Sequence, residues 1–550
     1  MVLILVSASA ALAGDDTNDL VTSTSTPTAS APLFGTGAWY RRTFQADTAP
    51  HIELRPPVRL NDYVVDGKLE LSLRSYIELV LDNNTDVAIT RLTIEPSRNN
   101  ILRQYSIFDP LAFANFNATR ALSPITGETE TGIYSNLTQP LNFGYGQTLP
   151  TGTTYSIGYS ATKTSNSGPY DLAGIYNPYV TSNLTLAFSQ PLLRGRGSYV
   201  TKLPITIARS RLRADEYGVL NQLLTVVSGA ESAYWDVIQA RENVRVQEQA
   251  LALSDASLKR AQRELELGAI SSLDIYQPEA QYQDYKIQLT QAKFVLEQAE
   301  DALRRQIGVD LDPTIRTLPI SLTETIELPG ELSFNREQLV EKAMRLRPDI
   351  NQQRQLINVD DLSIQSAANN LKPALALSGQ YGGFGRSGTY FDGNSLISGG
   401  GFSDSAGQMF GFGYPSYGFG LSLQLPIRDR RASADYADAV VNKRLDALRV
   451  RSFEQLARQA VLNAISRAQS SRASVELAKV ALDFAQKRVD AEQKKYDLGV
   501  STLFFLLDAQ SALNRAQSDL VNQSVNYRRD LLNLQRITGE LLAERNITIQ

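Results

Sequence analysis

The chain has 550 residues, 20% charged and 43% hydrophobic, and a net charge of −4 from 54 basic and 58 acidic side chains. There is no cysteine and one histidine, His51, so thiol or histidine catalysis and the usual zinc sites lack their ligands; the charge balance argues against nucleic acid as a partner. No run of 18 apolar residues follows the N-terminus, which excludes a helical membrane span but not a β-barrel, whose alternating strands hide from hydropathy averages.

In chain order, residues 1–13 read as a signal peptide ending in Ala11-Leu12-Ala13; the missing basic start suggests that the true N-terminus is upstream. Residues 14–70 form an N-terminal segment, disordered or equatorial; within it residues 15–60, rich in Thr, Ser, Ala and Pro, cannot bury a core and are predicted to be largely disordered. An amphipathic helix opens at Leu71-Ser72-Leu73, runs to about Tyr105 and stops before Pro110. Between about 111 and 192 the pattern alternates: Tyr155, Ile157 and Tyr159 against Ser156, Gly158 and Ser160, then Leu184, Leu186 and Phe188 against Thr185, Ala187 and Ser189. A long helix from about Ser198 to Glu266 places Ala230, Val237, Val244, Leu251, Leu258 and Leu265 seven apart, with small residues between and polar Gln247 as the exception. It ends at Leu267-Gly268, a return helix occupies about 272–307, and a Pro-containing link spans Asp310 to Glu331.

The same grammar then returns. A helix opens at Leu332-Ser333-Phe334 and ends before Pro373, strands occupy about 374–427, and a long helix from about Ala432 to Asp497 repeats the heptads 231 residues later. It stops at Leu498-Gly499, and a return helix runs to Gly539. The chain is thus an internal repeat of residues 71–331 and 332–550, each a short helix, strands, a long coil and a return helix. Strands with one apolar and one small polar face, amid Gly-rich segments that offer no second apolar layer, fit a barrel with lipid outside and water inside. Tyr134, Phe143, Tyr145, Tyr176, Tyr179, Tyr414 and Tyr417 fit its interfacial girdles. Gly382-Gly383-Phe384-Gly385 lacks the Lys-Ser/Thr and helix start of a phosphate loop and reads as a surface loop.

Gln190-Pro191-Leu192-Leu193-Arg194-Gly195, Leu425-Pro426-Ile427, Arg347-Pro348-Asp349 and the two Leu-Gly turns, in this order and duplicated, resemble the TolC-type outer-membrane efflux proteins over about residues 70–540. The resemblance implies an α+β membrane protein: a homotrimer whose strands form one transmembrane β-barrel in outer-membrane lipid, continued by a coiled-coil α-helical tunnel through the periplasm of a Gram-negative cell. It implies an exit channel of a tripartite efflux pump or type I secretion system, working with a periplasmic adaptor (membrane fusion) protein and an inner-membrane transporter, with no cofactor, no metal and no enzymatic activity. The chain departs from the family in one respect. An extra strand pair around Gly132–Tyr145 and Thr153–Lys163 exceeds the usual two strands per half, and either widens the barrel or folds into loops.

Carried over by position, the resemblance makes Asp274, Tyr496, Ser501, Phe505 and Asp508 the periplasmic gate, Ser501 standing where the family has a basic residue and Phe505 where it has a second ring aspartate. Leu267, Gly268, Ala269, Leu498, Gly499 and Val500 become the adaptor-docking tips. Asp274 and Asp508 also sit where a helix start favours acids whatever the function, so gate and cap both stand. Two rival functions remain: a soluble periplasmic coiled-coil scaffold or adaptor, which needs no alternating strands, and an enzyme using Asp360-Asp361, a poor acid/base pair because neighbours on a helix face different ways.

Overall fold

The computed structural model describes residues 58–124, 132–167, 175–309, 316–326, 334–392 and 395–547; the expected signal segment and residues 14–57 lie outside them. Residues 58–70, which fall in the N-terminal segment expected as disordered or equatorial, are tied to the core through Leu60 and Leu69. A 3-10 turn, Leu60–Tyr63, leads into β1 (Val64–Val65) and β2 (Lys68–Leu71). The alternation Lys-Leu-Glu-Leu buries Leu69 and Leu71 and leaves Lys68 and Glu70 outside, so four residues suffice for a half-buried strand.

The single helix expected to Tyr105 is three: α1 (Leu73–Asn83), α2 (Thr85–Leu92) and α3 (Glu95–Tyr105). Asn84 makes the first break. Its backbone is extended and its side-chain oxygen accepts from the Asp86 and Val87 N–H groups at 2.8 and 3.2 Å, so local capping overrides the apolar period. Pro96 sits in the first turn of α3, where its missing N–H costs nothing.

The strands come next: β3 (Leu111–Phe116), β4 (Thr119–Pro124), β5 (Ile133–Thr148), β6 (Thr154–Asn166) and β7 (Ile175–Pro191). A short turn of helix, α4 (Ser198–Thr201), precedes α5 (Leu203–Glu266, 64 residues), which is followed by α6 (Tyr276–Gln306) and β8 (Ile320–Leu322). The second half supplies α7 (Arg336–Leu346), α8 (Pro348–Asn370), β9 (Ala374–Asp392), β10 (Ser395–Ser398), α9 (Phe402–Phe410), β11 (Pro415–Gln424), α10 (Arg430–Asp497, 68 residues), α11 (Leu503–Thr538) and α12 (Leu541–Glu544). No described helix is long and apolar enough to cross a membrane.

α5 and α10 are each about 100 Å long at 1.5 Å per residue. α5 packs on α3, α6, α8 and α11, and α10 on α7, α8 and α11. Heptad residues Ala230, Val237, Val244 and Ala261 are buried on α5, and Val461, Ala468, Val475 and Val489 on α10. Midway along α5, Tyr234 and Trp235 join Leu69, Leu71, Tyr76, Ile320 and Leu322 in the largest core cluster. β2 pairs in parallel with β8 there, and α12 adds Leu541 and Leu542.

The remaining strands form one antiparallel sheet ordered β11, β9, β7, β6, β5, β3/β4, with β10 continuing above β11 on β9. β5 and β6 are full members of it, paired without a break from Asn136↔Asn166 to Thr148↔Thr154. The stretch Gly382–Gly385, expected as a surface loop, is the middle of β9, where Gly383 and Gly385 admit α9. A Cβ on Gly385 would meet the Ser405 carbonyl at 1.9 Å, and one on Gly383 the Met409 carbonyl at 2.7 Å. The glycines serve close packing, not a turn.

Candidate functional site

Two features of the molecule are shaped for function: the two helical tips and the two-faced sheet. Each tip is built by the same local chemistry. α5 ends with Gly268 at φ +72, its N–H bonded to the Leu265 carbonyl at 3.0 Å and the Ala269 N–H to that of Glu264 at 2.8 Å; α10 ends with Gly499 at φ +72, the Gly499 N–H on Tyr496 at 2.9 Å and that of Val500 on Lys495 at 2.9 Å. This is a Schellman cap, which needs a left-handed residue and hence glycine. Past the caps the apolar side chains point into solvent: Leu267 is 84% exposed, Leu498 78% and Val500 77%. Phe504 and Phe505 follow, both about half exposed, in an edge-to-face pair at 5.5 Å.

Behind the tips, a polar cluster ties α5 to α10. The Tyr496 hydroxyl donates to Glu264, Arg260 donates to Glu264 at 2.9 Å and to Asp497 at 2.5 Å, and the Arg260 guanidinium lies 4.7 Å from the centre of the Tyr496 ring. Burial, and then the hydrogen bond to Glu264, push the Tyr496 hydroxyl up to about 12, so it remains a donor throughout the neutral range. The hydrogen bond from Arg260 holds Asp497 below the usual carboxylate range. Arg260 and Glu264 escaped the sequence reading; their only signal was i, i+4 spacing one turn before Gly268, shared by many exposed helix pairs.

The other candidate residues are placed as follows. Asp274 is not part of this cluster: its carboxylate accepts from the Ser271 N–H at 3.2 Å and closes the turn, and within the chain the partner of Tyr496 is Glu264. Ser501 donates to Glu492 at 2.9 Å. Asp508 accepts from Arg488 of α10 at 2.6 Å, with both side chains about half exposed. Farther from the tips, α5 meets α11 through polar side chains. Ser257 pairs with Gln510, Gln247 with Asn514 at 3.3 Å, and Gln239 with Asn522 at 2.7 Å. Gln247, the exception in the heptads, therefore belongs to a polar seam.

In the sheet, cross-strand partners share a face, so the ladder shows which side chains stand together. One row runs Ala112, Tyr145, Ile157, Leu186, Tyr381, Tyr417 through six strands; below it come Tyr155, Phe188 and Phe419, and above it Phe143, Tyr159 and Leu184. The opposite face carries Ser156, Gly158, Ser160, Thr185, Ser378, Gly418, Gly420 and Ser422. α9 lies on the apolar face, with the Ser405 hydroxyl 2.6 Å from that of buried Ser182 and Phe402 against Tyr159. Asp360 and Asp361 lie at the packing of α8 on α10: Asp361 pairs with Lys443 at 2.5 Å, and Asp360 faces Asp446.

The profile of the family described as "Outer membrane efflux protein" matches residues 152–309 and 339–540, well over half of the chain. The toluene efflux pump outer membrane protein TtgC of Pseudomonas putida is 23% identical over 323 residues, 58% of this chain and 61% of the relative, so the chain spans about three fifths of that relative's length. The outer membrane protein TolC of Vibrio cholerae is 24% identical over 362 residues, 64% and 76% of the two chains. Among solved structures, the open state of the Neisseria gonorrhoeae MtrE outer membrane channel superposes with a TM-score of 0.59 at 18% identity, over 92% of this chain and 96% of that one. A Pseudomonas aeruginosa membrane protein gives 0.60 at 19% identity, over 87% and 93%. These likenesses place the chain in the outer membrane of a Gram-negative cell, extending into the periplasm. By fold and by sequence the chain belongs to the outer membrane efflux protein family.

Proposed function

We propose that three copies of the chain form the exit duct of a tripartite efflux pump or type I secretion system, receiving cargo from an inner-membrane transporter through a periplasmic adaptor. The observation that carries this reading is the continuity, in one chain, of a sheet with one apolar face and two helices about 100 Å long. Trimerisation draws support from α10, where Val441, Leu445 and Leu448, then Leu477, Val480 and Phe484, stay exposed at three- and four-residue spacing. Leu267, Gly268, Ala269, Leu498, Gly499 and Val500 form two small apolar knobs suited to an adaptor's coiled-coil tip.

The gate, in this proposal, is a latch between α5 and the α10–α11 hairpin. Tyr496, Glu264, Arg260 and Asp497 hold it at the tip, the polar seam at Gln247 and Gln239 lets the hairpin slide without exposing apolar surface, and Phe505 narrows the entrance. Asp508, neutralised by Arg488 within the chain, is released to face the axis when the hairpin moves. Asp274 and Ser501 act as turn and strut residues of the same tips.

Planar-bilayer recording of the purified full chain tests the reading. A trimer with small resting conductance is expected, and Tyr496→Phe, which deletes the donor to Glu264, raises the open fraction several-fold. Cysteines at Ala269 and Val500 are expected to cross-link to an adaptor in cells, whereas one at Thr323 beside β8 is not. A water-soluble monomer without conductance would sink the proposal and favour the scaffold reading.

A further inference from the structure

We propose that the β5–β6 hairpin stands in the membrane wall, so that each protomer contributes six strands and three protomers close an 18-stranded barrel, wider than the helical tunnel beneath it. The inference rests on the trimeric-channel reading above and specifies how copies of this chain join.

Four observations carry it. First, β3 and β4 are one strand. Phe116 faces Leu141 and Thr119 faces Thr138, three residues along on both sides, so the register is unbroken; the ladder is interrupted where Pro140 has no N–H to donate, and its carbonyl still accepts from Asn117 at 3.1 Å. Second, the apolar band crosses β5 and β6 at the same height as the rest: the row from Ala112 to Tyr417 passes through Tyr145 and Ile157 without a step. A hairpin folded over the mouth or into the lumen has no reason to carry its apolar residues in register with the lipid-facing rows.

Third, the hairpin is anchored like a wall strand. Its turn is tight, with the Leu149 N–H on the Thr153 carbonyl at 2.7 Å, and it docks on the junction of β7 and α4 through the Gly197 N–H on the Thr151 carbonyl at 3.2 Å. Four strand ends per chain pass into helices, at α3, α4, α8 and α10, while six strands enter the sheet. The barrel therefore flares relative to the tunnel.

Fourth, among the described residues the sheet leaves two bare edges, β3/β4 and β11, whose outward backbone groups have no strand partner. Hydrocarbon offers no partner to an unpaired N–H or C=O, so the edges must be covered. Six alternating strands make the two edge strands antiparallel to each other. The β11 edge of one copy then fits the β3/β4 edge of the next, a head-to-tail contact that closes into a ring. Barrel diameter grows roughly in proportion to strand number, so 18 strands instead of 12 give a mouth about half again as wide, with about twice the cross-section.

Single-particle imaging of the full-length trimer in lipid nanodiscs decides the matter. An 18-stranded wall containing residues 133–166 is expected. A trimer with a 12-stranded wall and the hairpin outside it overturns this inference and leaves the channel reading standing; absence of any trimeric pore overturns both. As a second measurement, the cysteine-free chain permits double-cysteine variants that pair Ala112 with Tyr417, Phe419 or Leu421. At least one pair is expected to cross-link neighbouring protomers into a trimer on denaturing gels, whereas Ile157 on β6 paired with the same β11 positions gives none. Cross-linking from Ile157 as efficient as from Ala112 overturns the inference.

Discussion

Single side chains in this molecule matter chiefly where a helix meets another helix through a polar group. Asp360 is the sharpest case: one of its carboxylate oxygens is buried without a partner, and the group looks across from α8 at Asp446 on α10, with Asp361, Lys443 and Arg449 around it. Burial first, then the charge of Asp446, raise it to about 6. A carboxyl raised in the folded state adds stability that is present in full below its ordinary value near 3.8 and is lost as pH rises through 6. The purified protein is therefore expected to melt at a lower temperature at pH 7 than at pH 5, and Asp360→Asn is expected to flatten that difference while leaving the pH 5 value close to wild type. A variant with an undiminished pH slope assigns it to other groups.

Among the elements, α9 is the one whose place depends most on a missing side chain. It is an excursion between β10 and β11, and it docks on β9 because Gly383 and Gly385 leave no Cβ under its Ser405 and Met409 carbonyls. Backbone meets backbone there, so a methyl group cannot be absorbed by a rotamer change. Gly385→Ala is expected to displace α9 at a local cost of about 1–3 kcal/mol, read as faster proteolysis between residues 399 and 414 with the helices still protected. Gly158→Ala, on the opposite face with open space at its Cβ, is the matched control and leaves the cleavage rate unchanged. The breaks at Asn84 and before Pro348 follow the same logic, since a capping side chain or a proline divides a helix that apolar spacing alone would continue.

For the molecule as a whole, the exposed apolar surfaces of the single chain coincide with what lipid and neighbouring copies would cover. Phe419, Leu421 and Leu423 on the sheet and Leu477, Val480 and Phe484 on α10 are exposed in one copy, and a coil face with that spacing packs on another coil. On the proposed trimeric reading, Phe484→Asp is expected to reduce the trimer fraction at micromolar protein severalfold by native mass spectrometry. Lys479→Asp, on the same helix beside Glu476, is expected to leave it near wild type.

Much of this architecture was legible in the sequence because its signals are local and periodic. Strand alternation, seven-residue spacing and the Leu-Gly stops at 268 and 499 each report geometry within a few residues, and they gave the strands, the long coils and the tips. Family resemblance singled out Tyr496 with Asp274, whereas the residue it bonds within the chain, Glu264, lies 232 residues away on another helix, and nothing near either residue announces the pairing. Residues up to 70 were left outside the core because composition cannot show that Leu60 and Leu69 join a cluster with Tyr234 and Ile320. Membership of β5 and β6 in the sheet, and the service of Gly383 and Gly385 to a helix, also depended on contacts far apart along the chain. Periodicity belongs to the backbone and is written locally, whereas partner choice is set by which surfaces the folded chain brings within a few ångströms, and that only the tertiary structure decided.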